Sequence, residues 1–332
     1  GGTVLLGAVS SSATPLRANA SHAPAPVPKT LANLMLYGGS DLRYLFAPDP
    51  GADPDYVDQY WTARRNLYGG YATYGDMFAA EYTLVDSIAG GTQFGIHNSS
   101  GWLISEYNSG NVAVIANTYA SLNRSHDHSQ LMVLTGDLTA PRTLLDREGW
   151  GGRMVEAMGG SPNVIELSGD VQLFCNGSDP SFRLEQVIHA ANTRQMGLPN
   201  PEPGGDSLDD SQIRALSAYY SARAAEIDAE MPANWPYKKL FQHHASIRQF
   251  GDQMTQRLSG HPYPAALDPV NFALNRFSFA QQCRGLYDVC LAPDILDFRL
   301  LSMSYGGWDT HNDQTNEIVP NLQDVFLSLI HI

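Results

Sequence analysis

The sequence predicts an α/β fold: a largely parallel sheet flanked by helices, with a helical insertion. Three observations carry this expectation. Short apolar runs of strand length alternate with longer stretches of helical spacing. Several of those runs end in polar turns, and in open α/β sheets the carboxyl ends of strands are where ligands gather. At 332 residues and 43% hydrophobic content, the chain can bury a large core as one domain, or as a domain with an insertion.

The elements follow in order. Gly1 to Ala20 is an apolar, small-residue run ending in Ala18-Asn19-Ala20, which reads as the remnant of an export signal with its cleavage site. Residues 21–29, with three prolines, read as a linker, so the α/β domain is expected over 30–332. Leu31 to Tyr37 is a strand ending in Gly38-Gly39-Ser40-Asp41. Asp53 to Tyr68 and Trp102 to Tyr107 read as helices, and Asn111 to Asn117 as a second buried strand leading to Arg124-Ser125-His126-Asp127-His128. Helices are expected from Ser129 and from Trp150, and a third strand over Val164 to Leu167. The helical insertion, at about 200–260, is a long helix from Asp209 or Asp210 to Glu230 and another from Pro236 to about Leu258. Pro269 to Leu291 is helical, Phe298 to Tyr305 is a strand, and Asn316 to Ile330 closes with a helix.

Composition narrows the function. A formal net charge of −14 argues against nucleic acid or an anionic membrane as the main partner. An anionic substrate stays open, because a bound cation reverses the local field. No run is apolar enough over sufficient length to span a bilayer. Cys283 and Cys290 are seven apart in a predicted helix, about 10 Å along its axis, too far for a disulfide. With Cys175 they read as core residues.

Three polar turns could carry chemistry. Asp309 and His311, after Gly306-Gly307-Trp308, are two apart, so in an extended segment both point to one side with Cα atoms about 7 Å apart. They can converge on one cation. Equally, Asp309 can cap the helix starting near Thr315 and His311 can be a surface residue. Ser125 near a helix start faces free N–H groups that favour an anion, and a neighbouring cation would activate its hydroxyl; Arg124 could hold phosphate or sulfate oxygens. Ser and Asp are also favoured N-caps. Asp41 alone suits an Asx turn. His243 and His244 point about 100° apart on a helix and cannot easily share a metal. His97, His189 and His261 have no partner that the sequence identifies.

Taken in order, Gly38-Gly39-Ser40-Asp41, Arg124-Ser125-His126 with Gly149-Trp150-Gly151-Gly152-Arg153, and Gly306-Gly307-Trp308-Asp309-Thr310-His311 resemble domain-of-unknown-function family 1501. These are exported bacterial proteins similar in fold to the alkaline phosphatase and sulfatase superfamily. The resemblance covers most of the chain from Leu31. It implies an exported, periplasmic or secreted, metal-dependent hydrolase of phosphate or sulfate esters, exported on a twin-arginine signal. Asp41, Asp309 and His311 would be metal ligands, with Zn or Mn the divalent metal that mixed Asp/His ligands suit. Ser125 would be the nucleophile, with Arg124 and His126 beside it. Here Leu42 follows Asp41 where the family has Gly, and Asp127 follows His126 where it has Phe. The family continues into Ser-Glu-Phe-Gly-Arg and Asp-His-Gly segments, so the resemblance implies a chain truncated at both ends. The alternative function is a non-catalytic exported or surface-associated binding protein on the same scaffold. Carbohydrate processing, suggested by 16 Tyr and 5 Trp, ranks last for want of an acid pair.

Overall fold

Leu31–Leu36 and Phe298–Tyr305 are near-continuous apolar runs, the pattern of strands covered on both faces. In the computed structural model they lie side by side in a five-stranded sheet. The structure describes residues 3–6, 30–85, 93–115, 125–137, 147–159, 162–168, 172–179, 182, 186–190, 192–196, 210–230, 232, 235–272, 277–310 and 314–330. Across the main sheet the order is β1 (Thr3–Leu6), β2 (Leu31–Leu36), β8 (Phe298–Tyr305), β6 (Asn163–Glu166) and β7 (Val187–His189). The last four run parallel, and β1 pairs antiparallel on the outer edge of β2. The α/β class and the parallel sheet flanked by helices are therefore observed.

The side-chain alternation of period two divides the core into the two faces of this sheet. Leu34, Leu36, Ile165, Ile188, Leu301, Met303 and Tyr305 belong to one buried cluster, with helices Phe277–Leu291 and Gln314–Ile330 supplying Phe279, Leu286, Ile318 and Leu322. Met35, Val164, Val187 and Leu300 belong to the other, covered by Leu134, Val155 and Phe174 from helices His126–Thr135, Trp150–Met158 and Gln172–Cys175. The result is a three-layer packing.

A second, antiparallel sheet orders β3 (Phe46–Pro48), β5 (Phe94–His97) and β4 (Tyr82–Val85). It packs with helices Pro54–Arg64, Tyr74–Glu81 and Gly101–Asn108 through a tyrosine-rich interior continuous with the first core cluster. Helices Asp210–Glu230 and Pro236–Leu258 form a hairpin whose Tyr220 meets Phe241, His244 and Arg248. No helix of the described residues is long and apolar enough to cross a membrane.

Three expectations need correction. Residues 111–115 form no strand, and Ile115 is 76% exposed; residues 116 and 117 lie outside the described residues. The edge of β2 is filled by β1, with Thr3 opposite Met35 and Leu6 opposite Ala32. The stretch from Pro269 begins with a 3-10 turn at Pro269–Asn271, and the helix itself is Phe277–Leu291. Cys175 and Cys283 are buried as expected, but Cys290, in the last turn of that helix, is exposed. All three thiols are free.

Candidate functional site at the carboxyl edge of the sheet

The site is built where β2 and β8 end together. Leu36 is paired with Tyr305, and the ladder continues past both strands: Tyr37 N–H donates to Tyr305 O at 2.9 Å and Trp308 N–H to Tyr37 O at 3.1 Å. Gly38 and Gly39 then turn the chain with φ of +104° and +84°. Their missing side chains matter as much as their torsions. A Cβ on Gly38 would stand 2.5 Å from the backbone N of Asp309, and one on Gly39 would stand 3.2 Å from Cε1 of His126. The double glycine thus lets the turn after β2, the segment after β8 and the start of helix His126–Thr135 meet.

At that meeting point His126 Nε2 lies 3.8 Å from Asp309 Oδ2, with both side chains nearly half exposed. The gap is too long for a hydrogen bond. It does suit an oxygen and a nitrogen donor sharing one cation at about 2.0–2.2 Å from each. Ser125, one residue earlier, caps the helix: its Oγ accepts from His128 N at 3.4 Å, and its carbonyl accepts from Ser129 N and Ser129 Oγ. The capping reading of Ser125 is therefore realised beside the predicted site. Trp308 is 2% exposed, and neither its Nε1 nor Ser40 Oγ has a hydrogen-bond partner among the described residues.

Asp41 has a different environment from the one its sequence suggests. It precedes the short helix Leu42–Leu45 but makes no side-chain cap, so the Asx turn is not formed. Its carboxylate is gripped by Arg64 from the last turn of helix Pro54–Arg64, with Nη2 2.7 Å from Oδ1 and Nη1 on Oδ2. Oδ2 also accepts from Gln314 Nε2 at 2.5 Å. Arg64 lies over the Tyr60 ring. The Tyr60 hydroxyl donates to Arg43 O and meets Tyr68, whose hydroxyl meets Tyr82, which donates to Tyr44 O. Burial pulls the Arg64 pKa down, but hydrogen bonds and charge from Asp41 outweigh it and hold the guanidinium more firmly protonated. Burial likewise pushes the Tyr44 hydroxyl up to about 12.

His126 and Asp309 fit a metal site as a pair, whereas Asp41 fits only if Arg64 and Gln314 let go. Arg124 and His311 lie outside the described residues, and among the described residues no group of three His, Cys, Asp or Glu side chains converges.

Sequence reasoning missed a second polar cluster. Asn33, Ser302, Glu166 and His189 occupy one register row across β2, β8, β6 and β7. Asn33 Nδ2 donates to Ser302 Oγ at 2.9 Å. Glu166, only 1% exposed, accepts from Ser168 N and Oγ and lies 3.1 Å from His189 Nδ1. Burial raises its pKa, but the bonds from His189 and Ser168 more than compensate and hold it below the usual value. The available signal was an acid ending the apolar run of β6; its partner His189 is set by strand pairing.

Comparison with family models, with curated proteins and with solved structures finds no match.

Proposed function

We propose that the chain is an exported metal-dependent hydrolase of phosphate or sulfate esters. The observation that carries this reading is the convergence of Gly39, His126 and Asp309 at the carboxyl edge of a parallel sheet, with Ser125 at the adjoining helix start. His126 and Asp309 would hold the divalent metal, Zn or Mn, with His311 and Asp41 as further ligands. When bound, such an ion supplies Lewis-acid charge and lowers the pKa of a coordinated hydroxyl.

The chain's own residues do the rest. Ser125 Oγ would attack phosphorus or sulfur in line, its proton passing to solvent water. The ester oxygen leaves with the bonding pair, and water then cleaves the Ser125 ester. The N-terminus of helix His126–Thr135 and the guanidinium of Arg124 would favour the anionic group. A second reading, a non-catalytic binding protein, is favoured by the saturation of Asp41 by Arg64 and Gln314.

Metal analysis of the purified protein, with hydrolysis of p-nitrophenyl phosphate and p-nitrophenyl sulfate, separates these readings. The hydrolase requires bound metal that is lost in Asp309→Ala and turnover that is lost with it. Metal retained without turnover on either ester selects the binding protein, and neither metal nor turnover overturns the hydrolase.

A further inference from the structure

We propose that His189 is the general base of a second site, one that hydrolyses neutral carboxylic esters, and that Glu166 positions it. The two residues end the parallel neighbours β7 and β6, at the sheet edge where α/β folds gather ligands. This site needs no metal and stands apart from the reading above.

The pair is uneven in a way that a core ion pair is not. The Glu166 side chain is 1% exposed and the His189 side chain 49%. Burying a carboxylate is costly unless its oxygens are bonded. Here Ser168 N and Oγ donate to Oε1, and His189 Nδ1 lies 3.1 Å from Oε2. An ionised carboxylate only accepts, so the proton between the two partners belongs to His189 Nδ1. In the neutral ring Nε2 then carries the lone pair, turned away from the buried carboxylate. Glu166 thus fixes both the tautomer and the direction of a half-exposed imidazole.

Chemistry around the pair points to water as the nucleophile. Ser168 Oγ gives its proton to Glu166 Oε1, so the imidazole does not receive it. Burial first, and the Glu166 charge second, push the Cys175 thiol well above its usual range, which keeps it protonated. His189 Nε2 takes a proton from water as the water oxygen bonds to the ester carbonyl carbon. The adduct then collapses: its C–O bond to the alcohol breaks, and the imidazolium returns the proton to the departing oxygen. The products are a carboxylic acid and an alcohol. Charge selects the substrate class. A carboxylate behind the ring, in a chain of net charge −14, repels phosphate and sulfate esters, whereas neutral esters escape that repulsion. The same carboxylate stabilises the imidazolium while it lasts.

Hydrolysis of p-nitrophenyl acetate by the whole chain, with and without EDTA, tests this. The wild type is expected to show saturable turnover that survives EDTA and slows in heavy water. His189→Gln should lower that turnover by about 100-fold, the low end of what general bases contribute. Its side chain is half exposed, so the variant should keep its fold, which the thermal midpoint checks. Glu166→Gln, assayed where it is folded, should lower kcat by about tenfold or more and leave KM near wild type. A carboxylate with a structural role alone would change the midpoint and not kcat. Absence of saturable turnover in the wild type overturns the proposal, as does undiminished turnover in His189→Gln. Turnover abolished by EDTA assigns the acetate reaction to a metal and overturns it too. A folded Glu166→Gln protein of full activity removes Glu166 from its positioning role.

Discussion

Gly38 and Gly306 bracket the site and make opposite demands. Gly38 sits at φ +104°, where an L side chain is strained, and its Cβ would strike the Asp309 backbone N at 2.5 Å. Gly306 has open space around it and no positive φ. Gly38→Ala should therefore cost about 1–3 kcal/mol from the torsion alone, with a further penalty as the segment after β8 is pushed away. Gly306→Ala should leave the thermal midpoint near wild type. Equal midpoints for the two variants would show that the close approach of Gly38 and Asp309 is not required. Glu166 can be read in the same way. Its carboxylate is 1% exposed and holds Ser168 and His189 through charge-assisted bonds. Glu166→Gln should lower stability by about 1.5–3 kcal/mol in a chemical denaturation series at neutral pH.

Helix His126–Thr135 places two roles on one side chain, and they can be pulled apart. Ser125→Ala removes the cap and should cost about 1 kcal/mol. Ser125→Asn caps as well as Ser, so its midpoint should stay near wild type while any ester hydrolysis disappears. Activity that survives in Ser125→Asn would remove Ser125 as nucleophile. The sheet edge offers a second test at this scale. Among the described residues β1 covers the outer edge of β2, so removal of residues 1–29 takes away the backbone partners of Leu31–Leu36 along that edge. Light scattering should then show association rising with concentration. A shortened chain that stays monomeric would show that another segment, such as residues 111–115, has taken that edge.

Legibility in the sequence tracks this element scale closely. β2 and β8 could be read because both of their faces are buried, which forces unbroken apolar runs between turn residues. Asn-Val-Ala-Val-Ile carries the same pattern for another reason: Val112 and Val114 pack on the core from an irregular segment while Ile115 faces outward. Five alternating residues cannot distinguish those cases. The turn bearing Asp41 and the cap at Ser125 were visible as local chemistry. The partners of Asp41 were not, because Arg64 and Gln314 are separated from it by 23 and 273 positions and arrive through packing. His189 likewise meets Glu166 only because β7 pairs with β6.

For the molecule as a whole, two effects of acidification oppose each other. A net charge of −14 strains the folded state by self-repulsion, and protonation relieves it. Buried groups act the other way. His97 is 4% exposed, and burial lowers its pKa from 6.5 in spite of nearby Glu81. The unfolded chain therefore takes up this proton first, and stability present above pH 6.5 is lost as pH falls towards the lowered folded value. Glu166 behaves alike one window lower: its folded pKa lies below 4.5, so its contribution is present above that pH and lost as pH falls through the lowered value. Surface repulsion is screened beyond about 8 Å at physiological salt, whereas His97 and Glu166 are shielded from that screening. Thermal midpoints measured from about pH 8 to about pH 2 should therefore fall in two steps at physiological salt. The upper step should vanish in His97→Asn and the lower one in Glu166→Gln. At low salt, where relief of repulsion grows, both steps should flatten. A midpoint that rises steadily on acidification at physiological salt would mean that surface charge, and not the buried pair, governs the stability of this fold.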